Sequence, residues 1–149
     1  MDECNNGEYI HMKKNKSNPN YERENHSKYI LTYHIIFVCK YRKKILLRHG
    51  DDVKQIMLDI SKKYDFEIKE MEVDKDHIHM MISSKPKVSP LQIVRVLKQQ
   101  STIKMWQMYS RELSKHFWKE HTFWTDGYFV FTIGEASSNT LQHYIQNQG

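Results

Sequence analysis

The sequence contains no apolar run approaching the roughly 18 residues that a membrane span needs, and no signal-peptide h-region opens it. A membrane role is therefore set aside and cytoplasmic residence is the expectation. Only two cysteines are present, Cys4 and Cys39. They have no metal-binding or redox spacing, one sitting in a polar tail and the other in an apolar run, so both are expected to be reduced thiols. Internal repeats are also missing. The 149 residues fit one domain, long enough to bury a core.

What is present is positive charge. The net formal charge is +5 with a pI near 9.1. The first 27 residues carry four basic and five acidic side chains, a balance of −1, so the excess on the rest is +6. That points to an anionic partner, nucleic acid first. Residues 1–27 are rich in Asn, Lys, Glu and Ser without an apolar period, and are expected to form a disordered polar leader. The domain is expected to span residues 28–149.

From Lys28 the character changes. Tyr29–Cys39 is β-branched and aromatic, as a central strand would be, with Leu31, Tyr33, Ile35, Phe37 and Cys39 on one face. Gly50 and Asp51-Asp52 announce a helix in which Val53, Ile56, Met57 and Ile60 recur at helical spacing, with Asp52 and Gln55 able to form a capping box. Phe66–Val73 reads as a strand whose alternation slips between Ile68 and Met71, as at a bulge, and His77–Ser83 as another. Ser89-Pro90-Leu91-Gln92 is a helix start with Pro at the first position and Gln completing the box. That helix is expected to reach about Met108, followed by a polar helical stretch. Asp126-Gly127 between two aromatic runs signals a hairpin, and a short helix is expected over residues 140–148. The order predicts an α+β fold close to a ferredoxin-like split βαβ arrangement, an antiparallel sheet with helices on one face.

Two constellations can carry chemistry. His77 and His79 sit two apart on a strand, hence on one face about 7 Å apart, where both imidazoles can converge on a metal ion while Ile78, Met80 and Ile82 enter the core. Tyr144 and Gln148 lie one helical turn apart and about 40° around the axis, on a shared face. With nine histidines, a His-x-His match is expected by chance about 0.5 times, so neither short motif identifies a site unaided. A chance pairing of the histidines and a half-buried structural tyrosine remain open readings at this point.

Their order and neighbours say more. Lys40-Tyr-Arg-Lys, Asp76-His-Ile-His-Met-Met-Ile82, Trp124-Thr-Asp-Gly-Tyr-Phe129 and Tyr144-Ile-Gln-Asn-Gln148 follow one another across nearly the whole folded part. In this the chain resembles the single-tyrosine transposases of small insertion sequences that move as single-stranded DNA, a branch of the HUH endonucleases. The resemblance implies that His77 and His79 are metal ligands, that Tyr144 on the C-terminal helix is the nucleophile, and that Gln148 completes the site. It implies Mg²⁺ or Mn²⁺ as cofactor and cleavage and rejoining of single-stranded DNA through a 5′-phosphotyrosine. It further implies recognition of DNA hairpins at element ends by a homodimer with composite sites. Asp76 is a candidate to orient a ligand. Lys40, Arg42, Lys43, Lys44, Arg95 and Lys98 are candidate phosphate contacts. A replication initiator or relaxase, a non-cutting hairpin-binding module and a phosphoesterase that uses water are the rival readings.

Overall fold

The computed structural model describes residues 31–133. The leader over residues 1–27, Tyr144, Gln148 and the helix expected to carry them lie outside the described residues. Within them, β1 (Leu31–Val38) is followed by a 3-10 turn (Lys40–Arg42), α1 (Leu46–Ser61), β2 (Phe66–Val73), β3 (His77–Ser84), α2 (Pro90–His116) and β4 (Phe129–Thr132). The strands form one sheet in the order β2-β3-β1-β4, with every pairing antiparallel. This is the α+β, ferredoxin-like architecture that the pattern predicts. β1 is central, as its unbroken β-branched and aromatic run requires of a strand covered on both edges.

The core lies between the sheet and the two helices. Tyr33, Ile35 and Phe37 enter it from β1, with Cys39 just beyond its end, and Ile78, Met80 and Ile82 from β3. α1 contributes Val53, Ile56, Met57 and Ile60, and α2 contributes Ile93, Val94, Val96 and Leu97. Each fully buried aliphatic side chain here is worth about 1.5–3 kcal/mol relative to exposure. Because strand side chains alternate, the same packing sends His77 and His79 to the face opposite the helices. Cys39 is a free, buried thiol, and burial together with the Asp76 charge pushes its pKa well above the usual thiol range.

Ser89 caps α2 as expected: its hydroxyl accepts from Gln92 N at 3.2 Å while Gln92 Oε1 accepts from Ser89 N at 3.0 Å. The slip in β2 is a register shift between Ile68 and Glu70, where the alternation breaks.

Two local expectations are corrected. α1 begins at Leu46, ahead of Gly50, so Asp52 is no N-cap. A Cβ on Gly50 would stand 2.9 Å from Val73 Cγ1, so this glycine permits a close helix–strand approach and does not start a helix. Asp52 instead accepts a hydrogen bond from the Tyr109 hydroxyl. The end expected near Met108 falls at a break in α2 at Tyr109 (φ −133°, ψ 32°), beyond which the expected polar stretch continues as helix to His116. The Asp126-Gly127 pair does not make a hairpin. Trp124 bridges Cys39 and Phe129–Thr132 pair with Ile36–Tyr33, so both aromatic runs lie along the same edge of β1. Lys98 draws in the excursion between them, its ammonium donating to the carbonyls of Thr125 (2.6 Å), Asp126 (3.0 Å) and Gly127 (2.8 Å).

Candidate active site

The site builds outward from β3. His77 and His79 project from the sheet face that the helices leave, with side chains 14% and 18% exposed. His77 Nδ1 lies 3.0 Å from Asp76 Oδ1, which leaves Nε2 as the ring nitrogen with no protein partner among these contacts. His79 Nε2 lies 2.9 Å from Glu72 Oε2, and the two residues are paired across β2 and β3. The Glu72 carboxylate is 78% exposed, so it can swing away from the imidazole at little cost. The His34 ring stacks on His79 with centroids 6.3 Å apart, and on its other side lies near-parallel to Phe131 at 5.9 Å. His34 Nδ1 is buried without a hydrogen-bond partner among the described residues. Burial first, and then the neighbouring His79, hold the His34 pKa below the usual imidazole value against the opposing pull of Glu70.

Sequence patterning separates His77 and His79 from the core but does not reveal His34 or Glu72. Those two join the site only through register, with His34 opposite Met81 on β3 and Glu72 opposite His79. A strand pattern contains no information about which residue of another strand stands opposite.

Asp76 is the buried acid of the site, 3% exposed. Its second oxygen, Oδ2, accepts from Arg42 Nε at 3.1 Å and forms an ion pair with Arg42 Nη2, also at 3.1 Å. Burial alone would raise its pKa; the hydrogen bond with His77 and the charge and hydrogen bond of Arg42 outweigh that and leave it lowered. Arg42 is delivered by the 3-10 turn, in which Tyr41 (φ 57°) and Arg42 (φ 52°) both hold left-handed backbone without being glycine. Such a conformation costs roughly 1–2 kcal/mol per residue. The turn is closed by Arg42 N donating to Cys39 O at 2.8 Å, and Cys39 N in turn donates to Asp76 O at 2.8 Å.

The six candidate phosphate contacts divide. Lys43 is partly exposed, and Lys44 and Arg95 are exposed. Lys40 lies 3.6 Å from the exposed Asp126 carboxylate, and its ammonium is 5.7 Å from the Tyr41 ring centre. Arg42 is committed to Asp76. Lys98 spends its three ammonium donors on backbone carbonyls, and burial pushes its pKa down to about 8, with Lys40 adding to that effect and Asp126 opposing it. It has structural work, which the sequence does not betray because its acceptors lie more than 25 residues away. Among the described residues the rings of Tyr41, Trp118 and Tyr128 stand exposed, each with a lysine ammonium within 6 Å. Trp118 is a candidate that sequence reasoning passed over; a tryptophan within the charged run Lys115–Glu120 is the signal that could have found it.

A ferredoxin-like sheet that presents paired imidazoles away from its helices defines a class of protein, and the whole chain places it within that class. Residues 27–148 match the family described as transposase, IS200-like. The chain belongs to that family and is a transposase of the IS200 kind. It is 32% identical to the ISDra2 transposase TnpA of Deinococcus radiodurans over 121 residues, covering 80% of this chain and 85% of that one. It is 29% identical to the transposase for insertion sequence element IS200 of Salmonella typhimurium over 126 residues, 83% of this chain and 80% of the other. Among solved structures, one described as a transposase from Deinococcus radiodurans superposes with a TM-score of 0.71 at 30% identity, covering 83% of this chain and 95% of that one. A REP-associated tyrosine transposase bound to a REP hairpin shares the fold, with a TM-score of 0.52 at 14% identity over 81% of this chain and 67% of the other. No helix among the described residues is long and apolar enough to cross a membrane.

Proposed function

We propose that this transposase cleaves and rejoins single-stranded DNA at the ends of an insertion sequence, using Tyr144 as nucleophile beside a divalent metal site at His77 and His79. The observation that supports this most is the pairing of the two imidazoles on one face of β3, in a chain whose family is that of IS200-like transposases. The donor set suits a metal ion. His77 Nε2 is left available by the Asp76 contact, and the nitrogen of His79 is held only by an exposed carboxylate that can move. Among the described residues no group of three His, Cys, Asp or Glu side chains could hold a metal, so a further ligand is needed, and Gln148 is assigned that place. Two neutral imidazoles and an amide oxygen favour Mn²⁺ by ligand type and accept Mg²⁺. When bound, the ion supplies positive charge against a non-bridging phosphate oxygen.

Tyr144 attacks phosphorus through its phenolic oxygen. A tyrosine–phosphate bond forms, the phenolic proton leaves to solvent, and the bond to the 3′ oxygen breaks to give a 3′-hydroxyl. The covalent link retains the phosphodiester energy, so a second 3′-hydroxyl can reseal the strand without ATP. Lys43, Lys44 and Arg95 are proposed to contact phosphates, with Lys40 at the margin. Tyr41, Trp118 and Tyr128 offer rings on which unpaired bases stack. The REP-associated relative is described bound to a hairpin, and hairpins at element ends are the substrate proposed here.

Because the nucleophile must reach a phosphate in an unpaired strand, hairpin or single-stranded DNA should be cut and a perfect duplex spared. Incubating a library of folded single-stranded DNA ends with the protein and Mn²⁺ should yield a denaturant-resistant complex. Equal cutting of perfect duplex would overturn the reading. Binding should also weaken steeply as salt rises from 50 to 200 mM, as counterion release dictates.

The working unit is proposed to be a homodimer in which Tyr144 of one chain serves the histidines of the other. A helix of the length expected from sequence over residues 140–148 would be too short to persist without docking, and residues 134–139 are mostly polar in sequence. Mixing Tyr144→Phe protein with a His77→Ala, His79→Ala double variant, under conditions that exchange subunits, should restore cleavage, since one hybrid site is then whole. Verified heterodimers without activity would exclude the composite arrangement.

A further inference from the structure

Arg42 stands in a basic run whose expected use is phosphate binding, yet its guanidinium turns back into the protein. Two of its nitrogens, Nε and Nη2, reach a single carboxylate oxygen, Asp76 Oδ2, each at 3.1 Å. The other oxygen of that carboxylate is the partner of His77 Nδ1 at 3.0 Å. The three groups form a line that leads from the strained turn after β1 to the ring of His77. The guanidinium is carried there on two successive non-glycine residues in left-handed backbone, Tyr41 and Arg42. Backbone of that kind persists where its surroundings over-determine it, and it gathers at functional sites. Asp76 is itself held, its backbone carbonyl accepting from Cys39 N and its side chain 4% exposed.

We infer that Arg42 and Asp76 are positioning residues that fix the tautomer and orientation of His77, so that its Nε2 faces outward as a ligand. Asp76 holds the His77 proton on Nδ1, because a carboxylate only accepts. Arg42 occupies the far oxygen and prevents the carboxylate from rotating away. An aspartate that receives the second ring N–H of a ligating histidine is a common support for metal sites; here the support has its own clamp. The inference rests on the reading of His77 as a metal ligand, and it alters the role of Arg42 from a phosphate contact to a brace.

The geometry makes an unusual forecast for Asp76→Asn. The asparagine has one oxygen, and Arg42, which can only donate, will claim it. The amide NH₂ is then left against His77 Nδ1, which must accept, and the imidazole proton moves to Nε2. Imidazole ¹⁵N spectra of the metal-free protein should show His77 in the Nδ1–H form in the wild type and the Nε2–H form in Asp76→Asn. Mn²⁺ titration of the two proteins should show affinity weakened by roughly 10- to 100-fold in the variant. Adding Arg42→Met removes the competing donors, frees the asparagine oxygen to return to Nδ1–H, and should recover part of the lost affinity. A merely structural role for Arg42 predicts the reverse, a double variant worse than either single one. His77→Ala serves as reference. If His77→Ala weakens Mn²⁺ binding while Asp76→Asn leaves both tautomer and affinity unchanged, the brace is refuted and the metal site stands. If His77→Ala itself leaves Mn²⁺ binding unchanged, the metal reading falls and the inference falls with it. Should Asp76→Asn unfold, Arg42→Met alone carries the test. Its His77 resonances should broaden or split between tautomers, and an unaltered spectrum with unaltered Mn²⁺ affinity would overturn the proposal.

Discussion

Tyr144→Phe should abolish the covalent adduct and lower strand cleavage by at least about 1,000-fold, the scale on which loss of a covalent nucleophile acts. The substitution removes one oxygen and leaves the ring, so docking of the terminal segment and binding of hairpin DNA should be retained. The phenol is a demanding nucleophile: with an ordinary pKa near 10 it is almost wholly protonated at neutral pH. The same difficulty makes the experiment decisive, because phenylalanine offers no oxygen with which to attack. Cleavage is to be followed on a labelled hairpin under single-turnover conditions, with the adduct resolved by denaturing electrophoresis. Undiminished cleavage without an adduct would transfer the reaction to a water nucleophile, and the chain would then work as a phosphoesterase.

His77→Ala together with His79→Ala, or chelation of the wild type, should leave most hairpin binding intact while cutting the cleavage rate by about 1,000-fold. That figure corresponds to about 4 kcal/mol, within the several kcal/mol that a metal ion contributes to transition-state charge stabilisation. Binding should survive because the proposed phosphate contacts at Lys43, Lys44 and Arg95 stand apart from the two imidazoles in the sequence and are exposed or partly exposed. Neither histidine enters the core cluster, so the double variant should melt close to the wild type. Restoring Mn²⁺ after chelation should restore cleavage in the wild type and not in the double variant. Full-rate cutting by EDTA-treated protein would dismiss the metal site.

Glu72 and His34 sharpen what these experiments will encounter. The Glu72 carboxylate lies against His79 Nε2, the nitrogen through which that residue would bind an ion, and it must move aside or join the coordination. His34 stacks on the same ring and limits how far that ring can tilt. Neither residue lies in a recognisable motif, yet both adjoin the groups on which the chemistry is proposed to depend.

The sequence by itself determined those features whose cause lies within one element. The capping box of Ser89 and Gln92 is visible because donor and acceptor are three residues apart. The division of β3 into a core face of Ile78, Met80 and Ile82 and a second face of His77 and His79 is visible because strand geometry alternates with a period of two. The slip between Ile68 and Glu70 shows as broken alternation in the letters themselves. From such elements, in order, the antiparallel α+β sheet follows, and four ordered motifs indicate the family.

Tertiary structure decided whatever depends on a neighbour distant in the chain. Gly50 and the Asp126-Gly127 pair carry the local signature of a helix start and a hairpin turn. The first leaves room for Val73, whose Cγ1 would stand 2.9 Å from a Cβ at that position, and the second belongs to an excursion gathered by Lys98. A glycine signals only that a side chain is unwelcome; whether backbone torsion or a packed neighbour is the reason depends on what lies beside it. The roles of the cations divide in the same way. Arg42, Lys43 and Lys44 are equivalent as letters in a basic run, yet only Arg42, swung inward by left-handed backbone, meets the buried carboxylate that holds His77. Charge and spacing are properties of the sequence, whereas the partner of a charge is a property of the fold, because Arg42 and Asp76, 34 residues apart in the chain, meet only when β1 and β3 come into register.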